Sequence, residues 1–442
     1  MSKSSVLGGA SRRPGRDGAP ARKGPAAARR SARSARKPSA SRASEPSARD
    51  HRVLRAIYSL RSPTRAEIAR HASLSVVSVT SILNRLMAAG RVRLGGKTDS
   101  KGGRPSTLYS LSAALGCSVG IALESSRFHL IVRDTGGATL QDRELALALS
   151  ARPEAHLAEL TRQLVAEFRR LQSGVLKGRR VLAAGIAPSG MVDTERGVWL
   201  HGLQLSGIEQ VDLRAVLQKA FRVPVVVEDP ARALAWLHAS RLPPEEAREL
   251  VLLDLTSGVG AGLIVGGELF RGSHGLSGEV GHLVVDAAGD RCSCGSAGCL
   301  ETVVSVPSIL RRFRRRLEEG VISSLQRYNG DGGGELTLAR ISEAGLAGDR
   351  LARSTLFEIG AFLGDACATL VKLYNPRTML ITGPAAILGE MLIEPIWQRV
   401  RQHVMAEMLA DLTISFAPWT PADEAFGAAL IAERSYWSAP GA

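Results

Sequence analysis

From His51 onward the apolar positions fall at helical spacing, with Val53, Leu54, Ile57, Tyr58 and Leu60 forming one stripe. In the next segment Thr64 reads as a helix N-cap with Glu67 as its capping-box partner, and Ile68 and Ala69 face inward. After a break over residues 71–75, Ser75 can cap a third helix that turns Val76, Val79, Ile82, Leu83 and Leu86 to the same core. Gly90 stands where a helix end favours a left-handed residue. The period then changes: residues 91–94 and 107–111 read as two short strands around a polar loop. Beyond about Cys117 come three strand-like runs, SVGIAL, RFHLIVRD and ATLQDREL, then an amphipathic helix over 153–171 and the strand VLAAGIA. The pattern predicts a small helical head with a two-stranded wing over residues 49–112, and a larger α/β domain over 117–435.

Two short helices joined by a tight turn describe a helix-turn-helix, with Ser78, Thr80, Ser81 and Arg85 outward on the second. Such a helix enters the major groove, where small hydroxyl residues let the backbone come close and the early ones, from Ser75 on, reach base edges. Arg65, Arg85 and Arg91 suit phosphates, and Lys97, Lys101 and Arg104 make the wing basic enough to lie along the backbone of operator DNA. The plain alternative for this stretch is an ordinary small helical bundle.

Charge sharpens the picture. The 442 residues carry a net charge of +15, and residues 1–50 hold thirteen Lys or Arg against Asp17, Glu45 and Asp50. Residues 1–48 form a basic tail, too poor in large apolar side chains to fold alone. It is either a source of salt-dependent phosphate attraction or a solvated extension. Hydrophobic residues make up 45% of the chain, enough for real cores, yet no run of eighteen apolar residues offers a membrane span. There is no signal-peptide pattern, and the five cysteines do not form a disulfide framework, so a reducing cytoplasm is expected. Cys117 and Cys367 sit in apolar runs and read as core residues, and Trp199, Trp236, Trp397 and Trp419 as core or subunit-interface residues.

The other three cysteines are grouped. Residues 278–301, GEVGHLVVDAAGDRCSCGSAGCLE, place His282, Cys292, Cys294 and Cys299 in one short segment. Three thiolates and an imidazole are the ligand inventory of a closed, structural, tetrahedral Zn2+ site. The glycines between them permit the tight turns that wrapping an ion requires. Glu279 and Glu301 flank the set and are free to accept hydrogen bonds from hydroxyl groups. This segment resembles the signature of the ROK family (repressors, open reading frames and sugar kinases). There the His and three Cys bind zinc, while the two Glu and the same His contact a sugar. The head resembles the N-terminal domain of ROK repressors, including its TRAEIA, LS and GGRP elements.

The resemblance implies an actin-like, ribonuclease-H-like α/β ATPase fold of two lobes with a sugar in the cleft between them. Asp229 matches the general base of the family's kinases, and its other reading is a cap on a helix over 231–240. Its usual Asn neighbour is Glu228 here, Gly190 keeps the glycine of a Pro-Gly turn, and Gln204 stands where an Asn usually meets the sugar. On the nucleotide side the family's first phosphate hairpin is replaced by Ala122, Leu123, Glu124, Ser125 and Ser126, which sets an acid where phosphates lie. The second phosphate loop begins with Thr256 in place of Gly, and Pro384 interrupts a glycine turn. The expectation is therefore a non-enzymatic regulator, with Asp229 a vestigial base and Gly190, Gln204, Glu228, Asp229, Glu279, His282 and Glu301 a ligand set. It would be a cytoplasmic DNA-binding repressor of carbohydrate uptake or catabolism genes, a homodimer or homotetramer that answers to a sugar or sugar derivative. A sugar kinase carrying a DNA-binding head is the alternative, and a repressor with a dead effector pocket is a third.

Overall fold

The computed structural model describes residues 47–98, 105–202, 205, 207–256, 258–328 and 334–439. Of the residues singled out above, the tail up to residue 46 and Lys101, Arg104 and Gln204 lie outside them.

The head contains α1 (Ala48–Leu60), α2 (Arg65–His71) and α3 (Val76–Ala88), then a hairpin of β1 (Val92–Lys97) and β2 (Thr107–Leu111). Local chemistry sets each helix start. Thr64 and Glu67 close a capping box, Glu67 Oε2 accepting the Thr64 N–H at 2.7 Å, and Ser75 Oγ accepts the Ser78 N–H at 3.2 Å. Helix α1 opens earlier than the apolar stripe suggests, because Ser47 and Asp50 form a second capping box that draws the last tail residues into the head. Val53, Leu54, Ile57, Ile68, Val79, Ile82, Leu83 and Leu86 make the core. Val76 does not join it. Although three residues ahead of Val79, it lies in the first turn of α3, which overhangs the core, and it is 50% exposed. Gly90 has φ 68°, the left-handed conformation expected just past a helix end.

The body is two lobes of one topology. In the first, β3 (Cys117–Leu123), β4 (Arg127–Asp134), β5 (Thr139–Ala146), β6 (Val181–Pro188) and β10 (Val225–Val227) form a sheet in the order β10-β6-β3-β4-β5. A small sheet of β7 (Gly190–Asp193), β8 (Val198–Gly202) and β9 (Glu209–Asp212) is inserted before β10. In the second lobe, β11 (Leu250–Leu255), β12 (Val259–Val265), β13 (Glu268–Phe270), β14 (Thr378–Thr382) and β15 (Thr413–Phe416) run in the order β13-β12-β11-β14-β15. In each lobe the first three strands pair antiparallel, and the remaining two add in parallel beside the first. Strands β3, β11 and β14 are buried throughout and mostly apolar, as strands covered on both faces are, with Ser118 inside β3 and Asp254 inside β11 among the buried polar exceptions. Cys117 and Cys367 are fully buried core residues. Among the described residues no helix is long and apolar enough to cross a membrane.

Two helices place the cleft. The helix Pro230–Arg241 packs against β11 and β12, and the terminal helix Asp423–Ser438 packs against it and against β3 and β6. The terminal helix approaches the first sheet so closely that a Cβ on Gly120 would sit 1.8 Å from the Ala425 carbonyl oxygen, and one on Gly185 2.0 Å from that of Ala428. Its far end leaves the body: Trp437 joins the core of the head and meets Tyr58 of α1 with ring centroids 6.0 Å apart.

Candidate functional site

The four metal-ligand candidates converge. His282 ends a short 3-10 turn (Val280–His282), and the three cysteines lie on a loop folded by the bridges Val284–Cys299 and Arg291–Ala297. Cys292 donates its N–H to Ser296 at 2.8 Å, closing the turn that carries Cys294. Gly298 has φ 68°, and a Cβ there would lie 1.6 Å from the Asp286 carbonyl oxygen, so only glycine lets the loop close. The donor atoms all lie within 4.8 Å of one another, with Cys294 Sγ and Cys299 Sγ 3.7 Å apart and Cys292 Sγ 3.5 Å from His282 Nδ1. A tetrahedron with metal–sulfur bonds of about 2.3 Å and metal–nitrogen bonds of about 2.0 Å requires donor separations of about 3.8 and 3.5 Å. The cluster can hold a metal ion.

Beside it opens a cleft of about 510 Å³, lined by Gly190, Asp229, Glu279, His282 and Glu301 from the expected set. Gly190 opens β7 at φ 114°. Asp229 lines the cleft and also caps the helix Pro230–Arg241, accepting the Arg232 N–H at 3.1 Å. Glu301 Oε2 accepts the Val259 N–H at 3.3 Å, which ties the end of the metal loop to β12.

Glu228 does not line the cleft. It is buried, and its carboxylate is taken by Arg232 Nε at 2.7 Å and by Arg271 at 2.8 Å. Arg232 also donates to the carbonyls of Ser277 and Gly275, both at 2.7 Å, and so holds the segment leading to Glu279. Glu228 and Arg232 are therefore positioning residues.

Several cleft residues escaped the sequence reading. Beside Glu124, already read as the acid of the phosphate hairpin, and Trp419, the wall carries Asp254 at the end of β11, Glu424 in the first turn of the terminal helix, and Arg127. Nothing local marks them. They come from opposite lobes, and only the closed fold brings them together. Burial pushes the Asp254 carboxyl up to about 8, helped by repulsion from Asp229. Burial likewise raises Glu424 well above the usual carboxylate range, with Asp254, Glu124 and Asp229 adding to it. Asp229 and Glu279 are raised by burial as well. Trp419 packs against a core cluster and presents a buried indole Nε1 that finds no hydrogen-bond partner among the described residues.

On the head, Arg65 opens α2 and donates to the Tyr109 hydroxyl at 3.1 Å. Ser75 and Ser78 share a hydroxyl contact of 2.9 Å, and Thr80 donates to the Val76 carbonyl at 2.7 Å. Ser81 is exposed, and Arg85, also exposed, pairs with Asp50 of α1. The most prominent groups on the first turn of α3 are apolar: Val77 is 80% exposed.

The ROK family model matches residues 118–435. The xylose repressor of Caldicellulosiruptor bescii is 28% identical over 363 residues, which are 82% of this chain and 89% of that protein. Among solved structures, a ROK family transcriptional regulator described as a homolog of the E. coli MLC protein is 25% identical with a TM-score of 0.73, covering 88% of this chain and 98% of its own. A ROK family glucokinase from Streptomyces griseus, solved with glucose and AMPPNP, is 26% identical with a TM-score of 0.59 and covers 72% of this chain. The regulator thus extends over more of this chain than the kinase does, and with the family model spanning residues 118–435 the chain belongs to the ROK family.

Proposed function

We propose that the chain is a DNA-binding transcriptional regulator, of repressor type, that controls genes of carbohydrate uptake or catabolism and answers to a sugar or sugar derivative in its cleft. One observation carries the reading: a single helix, Asp423–Ser438, has Glu424 on the cleft wall and Trp437 in the core of the winged helix-turn-helix head. At about 1.5 Å per residue its 16 residues span roughly 24 Å. A ligand that binds one lobe arrangement better than another shifts the head through this helix, and only by that difference in affinity.

On the DNA side, α3 lies in the major groove. Ser81 and the early hydroxyls approach base edges, and the exposed Val77 suits the methyl group of thymine. Arg65 and Arg85 hold phosphates, and Lys101 and Arg104 would extend that contact along the wing. Two copies of the chain read a palindromic operator, one head per half-site. On the ligand side, Asp229, Glu279 and Glu301 accept sugar hydroxyls around Gly190, with Gln204 as a further contact. His282, Cys292, Cys294 and Cys299 would hold a structural zinc, which supplies a rigid frame for the loop between Glu279 and Glu301.

Kinase chemistry fits this cleft poorly. Glu124 stands at the hairpin where the family's kinases approach phosphate, and a carboxylate there repels a nucleotide's phosphates. Two measurements test the proposal together. Genomic footprinting should recover discrete palindromic sites beside transport or catabolic genes, and a hexose panel should raise the melting temperature without stimulating ATP hydrolysis. Sugar-dependent ATP turnover, or failure to retain any operator fragment, would overturn it.

A further inference from the structure

The cleft is more acidic than hydroxyl recognition needs. Six carboxylates line it (Glu124, Asp229, Asp254, Glu279, Glu301 and Glu424), and Arg127 is the one Lys or Arg among its described lining residues. Arg127 is already engaged, its Nε 3.0 Å from Glu124 Oε2 and a second nitrogen 3.6 Å from Glu144. The acids fall into two sets that meet at Asp229. Glu279 and Glu301 stand beside the Cys3His loop. Asp254 and Glu424 form the other set, close enough to each other, to Glu124 and to Asp229 for their charges to interact.

Asp254 shows that the second set is built for a ligand. It lines the cavity yet is only 5% exposed, its Oδ2 accepts from Thr256 Oγ1 at 3.3 Å, and its Oδ1, itself buried, finds no partner among the described residues. Leaving a buried acceptor unpaired is costly, so its persistence points to a donor that arrives with the ligand. We infer that the cleft takes a cationic polyol, an amino sugar with a free, protonated amine, whose ammonium sits among Asp254, Glu424 and Asp229 while its hydroxyls face Glu279 and Glu301. This rests on the sugar-responsive reading above and names the class of sugar.

The geometry favours an ammonium over a bare metal ion. A hard divalent ion needs six or more oxygens closed around it, whereas this cavity of about 510 Å³ is far larger than an ion. Trp419 on the same wall offers an indole surface, which suits an ammonium or the C–H face of a sugar and not a hydrated divalent ion. Without a cation, the mutual repulsion of these acids is relieved by protons, in keeping with the raised Asp254 and Glu424 carboxyls.

Calorimetric titration of the full chain would compare glucosamine, galactosamine and mannosamine with their parent hexoses and N-acetyl forms, and with magnesium or calcium chloride alone. At least one amino hexose is expected to bind tenfold or more tightly than both of its neutral counterparts. Glu424→Gln should bring that ratio below threefold, with Asp254→Asn as the second variant should the first fail to fold. Equal binding of the neutral forms would overturn the inference and leave the sugar-responsive reading standing, as would a divalent ion that binds alone and leaves no preference for the amine. Binding of no sugar in any form would overturn both.

Discussion

Single residues in this protein are held by few partners, which makes their loss readable. Each donor of the Cys3His set carries one vertex of a tetrahedron, so Cys292→Ser or Cys294→Ser opens the shell. Replacing even an outer partner of a metal ligand costs about 10–100-fold in metal affinity, and loss of a ligand should cost more. Both variants should retain less zinc by elemental analysis and should melt earlier, the loss being greatest in the lobe that carries β12. Correctly folded wild-type protein that contains no zinc would remove the basis of that expectation. Asp254 offers a different test. Its folded carboxyl is raised to about 8 from an ordinary value of 3.8, so between those values the folded protein holds a proton that the unfolded chain has released. Stability from this source is full below about pH 4 and falls as pH rises toward 8, by up to about 1.4 kcal/mol per pH unit. Denaturant titrations of the ligand-free protein at pH 6 and 8 should show this loss, and Asp254→Asn should show less of it. An unchanged slope in the variant would place the titration elsewhere.

At the scale of elements, legibility in the sequence follows from locality. The caps at Thr64 and Ser75 could be read because donor and acceptor lie three residues apart, and the Cys3His set because its ligands fit within eighteen residues. Glu228 could not be placed, since the arginine that takes its second oxygen, Arg271, comes 43 positions later. Glu424 and Asp254 face one cavity from opposite lobes, and no periodicity announces such a meeting. Val76 kept the right spacing and still emerged, because spacing fixes a face of a helix and not how far the core reaches along it. The terminal helix was the least legible and is the most consequential. It is wedged against β3 and β6 through glycines, so it moves as a unit with the first sheet, and its Trp437 carries that motion to Tyr58. Trp437→Leu keeps an apolar side chain in the head while removing the ring contact. The variant should retain sugar affinity by calorimetry. The drop in operator affinity on adding sugar, about 5–150-fold for a typical allosteric coupling, should shrink toward none. A variant that still releases DNA fully on sugar binding would show that the signal takes another route.

Across the whole molecule, charge is separated by place. The cleft gathers carboxylates, while the first fifty residues gather thirteen basic side chains immediately before a helix that opens the DNA-reading head. The distribution suits a protein whose basic segment attracts a polyanion while its cleft rejects phosphates. The tail's contribution to operator binding should be electrostatic and independent of sequence, because arms of this composition meet phosphates rather than base edges. Each phosphate it neutralises releases condensed counterions and steepens the fall of log affinity with log salt by about 0.9. Removing residues 1–45 leaves the Ser47 capping box and the whole head intact, so base discrimination between operator and mismatched duplexes should survive. Fluorescence anisotropy from 50 to 200 mM salt should then show weaker binding by the truncated chain at the low end, convergence with the full chain at the high end, and a shallower slope. Two parallel lines would mean that the tail touches no phosphate and that the head alone supplies the attraction.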